Sequence, residues 1–196
     1  MKKNLSLLLM LLFTTTPITT FAATEKAVFA GGCFWCMEYP FEQLNGVQSV
    51  DSGYIGGKKN NPTYEEVSSG NTGHIESIEI TFDNKLVSYQ DLLNVFWKNI
   101  DPLDAKGQFC DKGEQYTSGI FYNNSSQKEL AENSLVGHQK SKRFAGEKIA
   151  TFIRSGESFF KAEDYHQDYY KKNPLRYKYY RYSCGRDKRL EKVWAQ

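Results

Sequence analysis

The chain has 196 residues, enough for one domain or at most two when a domain takes roughly 100–200 residues. Hydrophobic residues make up 40% and charged residues 24%, ordinary globular usage that excludes a fibrous or disordered chain. Lys and Arg number 25 against 23 Asp and Glu, and the excess is Lys2 and Lys3. Without the first 22 residues the count is 23 against 23, so the charge balance selects neither nucleic acid nor an anionic membrane as partner.

Residues 1–22 read as a secretory signal. Lys2 and Lys3 form its positive start, Leu5 to Phe13 its apolar run, and Thr20-Phe21-Ala22-Ala23 a small-residue close. That run is far short of the roughly 20 apolar residues that span a bilayer. The expectation is cleavage near Ala22 or Ala23 and an exported protein, periplasmic or extracellular, free of the membrane. A single domain is expected over 26–196, as a monomer.

Val28-Phe29-Ala30 reads as a strand running into Gly31-Gly32. Phe34, Met37, Phe41 and Leu44, spaced by three or four, predict a helix from Cys33 to Leu44. Val47 to Tyr54 reads as a strand closed by Gly56-Gly57, and Thr63 to Val67 as a short helix. Glu76, Ile78, Ile80 and Phe82 alternate with Ile75, Ser77, Glu79 and Thr81, a period-two strand over 74–82. Ser88 and Asp91 form a capping box that opens a helix through Leu92, Leu93, Phe96 and Trp97. Asp101 to Gly119 is a long loop, Ile120 to Tyr122 a strand, Ser125 to Lys140 a helix, Ile149 to Ile153 a strand and Ala162 to Lys171 a last helix. Strands and helices mix without strict alternation. That predicts a two-layer α+β domain, a mixed sheet with a ferredoxin-like, split βαβ core, ending in an irregular Tyr- and Arg-rich tail.

The chemistry-bearing segments are few. Cys33 follows two glycines and opens a predicted helix, where free N–H groups and the helix dipole favour a thiolate. Cys36 lies one turn on, within reach of a disulfide. The remaining cysteines are Cys110 and Cys184, and export makes an even number readable as structural bridges. Zinc is not expected, because neither distant cysteine has a paired Cys or nearby His at ligand spacing. Tyr54 sits at a Gly-rich turn, and Glu76 begins an apolar strand that can bury its carboxyl and raise its pKa. Asp111 and Tyr116 lie on the long loop. His166 sits among aromatic residues and reads as structural, as do the seven tyrosines from Tyr165 to Tyr182.

Five segments in register carry a resemblance: Gly-Cys-Phe-Trp at 32–35, Gly-Tyr-Ile-Gly-Gly at 53–57, Gly-His-Ile-Glu at 73–76, Asp-Lys-Gly-Glu-Gln-Tyr at 111–116 and Glu-Asp-Tyr-His-Gln-Asp-Tyr at 163–169. In order and spacing the chain resembles the A-type peptide-methionine sulfoxide reductases. The resemblance implies a mixed α+β fold, no metal or organic cofactor, and reduction of the S epimer of methionine sulfoxide, free or in proteins. It implies Cys33 as nucleophile and Glu76 as proton donor, with Tyr54, Tyr116 and Asp111 in the polar network and Phe34 and Trp35 as the wall for the substrate methyl group. The sulfenic acid left on Cys33 is resolved by a second thiol and recycled by a thioredoxin-like donor. Cys184 and Cys36 both qualify as resolving cysteines; a flexible tail hinged at Gly185 favours Cys184, and Cys110 is a third candidate whose plainer reading is a buried bystander. The expected role is repair of oxidised exported proteins. Two rivals are a C-x-x-C disulfide oxidoreductase and a secreted binding module with two structural disulfides. The first leaves Glu76 and the tyrosines without a role. The second predicts no free thiol.

Overall fold

In the computed structural model, which describes residues 24–195, strand β1 (Thr24–Gly31) buries Ala27, Val28, Phe29 and Ala30 in succession. A strand covered on both faces belongs at a sheet's centre. It is flanked by β3 (Ile75–Asp83) and β6 (Ser118–Tyr122), both antiparallel to it. β2 (Val47–Ile55) lies outside β3, and the short β7 (Phe152–Ser155) and β8 (Phe160–Lys161) close the edges, giving the order β7-β6-β1-β3-β2-β8. Only β6 and β7 run parallel. β1 and β2 are joined through helix α1 (Trp35–Glu42) with β3 inserted between them, the split βαβ arrangement that the sequence predicts.

Ile78, Ile80 and Phe82 turn one face of β3 into the main core, where they meet Phe29, Phe41, Leu92, Leu93, Phe96 and Trp97. Phe29 stacks on Phe41 and Phe96 at 5.6 and 5.0 Å between centroids. Helix α2 (Tyr64–Ser68) follows, and α3 (Tyr89–Lys98) opens at the predicted capping box: Ser88 Oγ accepts from Asp91 N at 3.1 Å and Asp91 Oδ2 from Ser88 N at 3.0 Å. Helix α4 (Ser125–Lys140) packs beside α3. On the sheet's other face Val28, Ala30, Ile55, Ile75 and Phe121 form a second cluster under Phe152 and Phe159.

Four expectations change. The first helix begins at Trp35, not Cys33, so Cys33 lies in the turn before it. The loop after α3 contains a small hairpin, β4 (Gly107–Gln108) with β5 (Asp111–Lys112), and a 3-10 turn at Glu114–Tyr116. The helix expected over 162–171 shrinks to α5 (Tyr169–Lys172), because Asp168 takes left-handed backbone, φ 54°, which an α-helix cannot contain. The tail is not irregular: it forms α6 (Pro174–Ser183) and α7 (Arg186–Trp194), broken at Gly185, φ 69°. Tyr177, Tyr180 and Arg181 take the inward positions of α6, so no aliphatic period marks it in the sequence; α7 turns Arg186 and Val193 inward, with Leu190 and Trp194 half-buried beside them. The expected secretory signal lies outside the described residues.

Candidate active site

The turn between β1 and α1 is fixed by Gly32, whose φ of +81° and approach to Gln108 (2.6 Å from where a Cβ would lie) admit no side chain. Cys33 follows, 7% exposed, and Cys36 is 1% exposed; both thiols are free. The free N–H at the start of α1 does not serve Cys33. Phe34 N donates to Glu76 Oε2 at 3.1 Å instead. Burial pushes the Cys33 thiol well up, and a hydrogen bond with Cys36, then the nearby Cys36, Glu76 and Asp111 charges, push it further. This reverses the expected depression at Cys33, because desolvation outweighs a helix end whose N–H is already taken. Cys36 moves the other way, to about 7, chiefly through that hydrogen bond from Cys33, with Arg186 and Arg181 adding to it against burial. The Cys33 thiol keeps its proton and donates toward Cys36, on which the negative charge of the pair is favoured.

β3 places Glu76 directly across from Tyr54 on β2. Side chains paired this way share a face of the sheet. Glu76 is buried, which lifts its pKa to about 8 against the pull of Phe34 N; Asp111 raises it further. Its carboxyl is therefore a neutral acid near pH 7, with Oε1 free of any partner among the described residues. Tyr54 Oη donates to Glu163 Oε2 at 2.9 Å, and Glu163 Oε1 accepts from Tyr64 N at 2.9 Å. Tyr54 and Tyr116 both titrate well above an ordinary phenol, mainly because they are desolvated. Both remain hydrogen-bond donors throughout the working pH range.

The apolar wall is aromatic throughout. Phe34 packs on Tyr54 (5.9 Å) and His166 (5.0 Å); Trp35 stacks flat on Tyr169 (3.7 Å, 6°) and donates from Nε1 to His166 Nδ1 at 3.0 Å. His166 is buried with Nε2 unpaired, and burial lowers its pKa. The ring is accordingly neutral, with its proton on Nε2 because Nδ1 accepts. His74 holds the Gly-rich turn: its Nδ1 accepts from Gly57 N at 3.2 Å, and a Cβ on Gly57 would lie 2.4 Å from the ring.

The tail closes over this group. Tyr180 Oη on α6 donates to Asp111 Oδ2 at 2.6 Å, and its ring meets Trp35 edge-on at 5.8 Å. Burial holds Asp111 above the usual carboxylate range. Cys184 is bonded to Cys110 (Cα–Cα 5.0 Å), so Cys110 is not the buried bystander of the sequence reading, and the pair is one of the bridges that the even cysteine count allows. Cys110 is exposed and the hairpin β4–β5 presents it to the end of α6. Both sulfurs and the Asp111 carboxylate lie within 4.8 Å of one another; as donors to a metal the sulfurs are withdrawn while bonded together. Sequence reasoning assigned no role to Glu163, Tyr64, Tyr180 or Arg186, which meet only through the tertiary fold; Glu163 lay inside a quoted motif, the others outside any.

Two free thiols beside a buried carboxyl acid, under an aromatic wall and a phenol-lined roof, form an arrangement for thiol attack on a group whose oxygen is protonated as it leaves. The model of the family described as "Peptide methionine sulfoxide reductase" matches residues 25–196. The chain is 48% identical over 170 residues to peptide methionine sulfoxide reductase MsrA of Limosilactobacillus reuteri, covering 87% of this chain and 97% of that one. It is 49% identical over 177 residues to the MsrA/MsrB protein of Vibrio cholerae, covering 90% of this chain but about half (47%) of that longer protein. Among solved structures, Mxr1 from Saccharomyces cerevisiae in reduced form has TM-score 0.70 and 32% identity, covering 79% of this chain and 88% of that one. The same yeast protein in complex with Trx2 shares the fold at TM-score 0.51 and 24% identity, with 79% and 90% covered. The chain belongs to the peptide methionine sulfoxide reductase family, in its MsrA branch. It is an oxidoreductase acting on methionine sulfoxide.

Proposed function

We propose that Cys33 attacks the sulfur of the S epimer of methionine sulfoxide while Glu76 protonates its oxygen. The observation that carries this reading is the buried Glu76 carboxyl, an acid up to about pH 8, held by the backbone N–H next to Cys33. Sulfoxide sulfur is a poor electrophile until its oxygen takes a proton or a strong hydrogen bond. Cys36 takes the Cys33 proton, the thiolate forms a bond to sulfur, and the protonated oxygen passes to Cys33 as methionine departs. Tyr116 donates to the oxygen as charge develops, joined by Tyr54 once its single O–H turns from Glu163 Oε2; Phe34 and Trp35 hold the methyl group, and Asp111 anchors the polar network through Tyr180.

Cys36 is the thiol adjacent to the Cys33 sulfenic acid; condensation expels water and leaves a Cys33–Cys36 disulfide. The reduced Cys110 and Cys184 thiols then exchange with it, returning Cys33 and Cys36 to thiols and forming the Cys110–Cys184 bond. An inner pair that is free beside an outer pair that is bonded supports this order of exchange. In this scheme Cys184 acts second rather than first. A thioredoxin-like dithiol reduces the outer bond, a donor class supported by the yeast relative's complex with Trx2. With residues 1–22 read as a secretory signal, the substrates are oxidised exported proteins.

Dithiothreitol-driven turnover of the separate S and R epimers of a methionine sulfoxide peptide, on protein lacking residues 1–22, tests the reading. Consumption of S alone is expected. A folded protein with free thiols that consumes neither epimer, or R as fast as S, overturns it.

A further inference from the structure

Arg186, at the start of α7, is 1% exposed, yet no carboxylate pairs with it among the described residues. Buried arginines are ordinarily paired, because an uncompensated charge out of water is expensive. Its Nη2 instead donates to Asn99 O at 2.7 Å and Gly31 O at 3.2 Å, and lies 3.0 Å from Met37 Sδ. Nη1 lies 3.8 Å from where a Cβ of Gly32 would sit, and Nε has no partner. Gly31 and Gly32 are the two residues before Cys33, and Met37 is the residue after Cys36. The guanidinium therefore lies against the backbone that precedes the thiol pair and the Met37 side chain that follows it.

Its position is fixed from behind. The guanidinium stacks 4.4 Å over the Phe109 ring. Phe109 adjoins Cys110 and takes left-handed backbone, φ 56°, while Cys184 stands two residues before Arg186 across Gly185. The Cys110–Cys184 bond thus ties the segment that carries the cation to the segment on which it stacks.

We propose that Arg186 is a positioning residue for the thiol chemistry: its guanidinium holds the Gly31–Cys33 turn, supplies a positive charge beside the Cys33/Cys36 pair that no ion pair ties up, and is kept there by the Cys110–Cys184 bond. The groups that face Cys36 are Cys33 from its own turn, Glu76 from β3, Asp111 from β5, Tyr177 and Arg181 from α6, and Arg186 from α7. Arg181 is matched by Asp187, which accepts from its Nε at 2.9 Å and its Nη2 at 2.5 Å. Arg186 is the cation of that set without a carboxylate. When the outer bond is reduced, Phe109 and Arg186 are no longer cross-linked, so the inner thiols sense the redox state of the outer pair.

The inference deepens the reductase reading of these thiols, but its test needs no turnover and can fail while that reading stands. Alkylation by iodoacetamide is followed against pH in the disulfide-intact full chain, with peptide mapping to separate Cys33 from Cys36. Removing a nearby cation disfavours the thiolate, so Arg186→Gln is expected to raise the midpoint of the more reactive thiol by about one pH unit. Arg186→Lys keeps the charge and is expected to bring the midpoint part of the way back. The Cys110→Ser/Cys184→Ser pair keeps Arg186 but frees it, and is expected to fall between Arg186→Gln and the unchanged chain. A purely structural arginine would lower the melting temperature and leave the midpoint in place. An unmoved midpoint in folded Arg186→Gln, or equal displacements for Gln and Lys, overturns the proposal. Should Arg186→Gln not fold, an unmoved midpoint in the double serine variant overturns it.

Discussion

Glu76 is the residue on which the chemistry turns, and its titration gives a signed expectation. Burial raises its pKa to about 8, so the proton-donating form predominates below that pH and is lost above it. Turnover is therefore expected to show a falling limb centred near pH 8. Glu76→Gln keeps the shape and the bond from Phe34 N but has no proton to give. It should lose roughly 100- to 10,000-fold in kcat/KM, the range assigned to general acid catalysis, together with the falling limb. A pH–rate profile of both proteins checks this; a falling limb that survives in Glu76→Gln would assign it to another group. Cys33 shows the opposite lesson. Its segment announces a thiol at a helix start, yet the N–H there is spent on Glu76 and the thiol is buried among acids.

Helix α1 and the segment before α5 meet through a second buried carboxyl. Glu38 is fully buried; its Oε1 accepts from Ser52 Oγ at 2.8 Å and Asp168 N at 3.2 Å, while Oε2 has no partner. Burial raises its pKa to about 7 from 4.5. A folded-state pKa above the unfolded one means that its contribution to stability is complete below about pH 4.5 and is lost as pH rises through about 7. Glu38→Gln is expected to flatten that decline, leaving the variant more stable than the parent at pH 9 by up to about 3 kcal/mol, since each tenfold change in an ionisation constant is worth about 1.4 kcal/mol. Urea unfolding at pH 4 and pH 9 measures it, and a parallel pH dependence in both proteins would contradict the assignment. Elements of this kind separate what was legible from what was not. Ser88 with Asp91, and the alternation through Ile78, Ile80 and Phe82, are local patterns, and α3 and β3 stand where they point. The split βαβ core follows from the order of such elements. Helix α6 hides because the side chains it turns inward are half-buried tyrosines and an arginine, and Asp168 breaks the helix over 162–171 through a backbone conformation that no residue pattern there signals. The pairing of Cys110 with Cys184, 74 residues apart, depends on two helices and a hairpin the sequence did not disclose.

Across the whole molecule the outer disulfide ties the hairpin after α3 to the junction of α6 and α7, closing a loop of 74 residues. Loop-closure entropy for that span sets an upper figure of about 4 kcal/mol, and such bonds are typically worth roughly 2–4 kcal/mol. Its reduction is expected to lower the unfolding free energy by that amount, read by denaturant titration of the intact chain and the Cys110→Ser/Cys184→Ser variant; equal midpoints would mean the tail is held by packing alone. The same bond keeps α6 over the site through Tyr180 and Asp111, so each cycle of reduction and oxidation is felt by the cover as well as by the thiols. The account rests on Cys33 carrying the oxygen away from the substrate. A single turnover with one equivalent of the S-sulfoxide peptide, quenched with dimedone and mapped by mass spectrometry, tests this in the Cys36→Ser/Cys110→Ser/Cys184→Ser background, where no proposed partner thiol is present. One methionine released per dimedone adduct on Cys33, with neither product in the further Cys33→Ser variant, is the predicted result. Methionine released at an undiminished rate by the protein lacking Cys33 would contradict it.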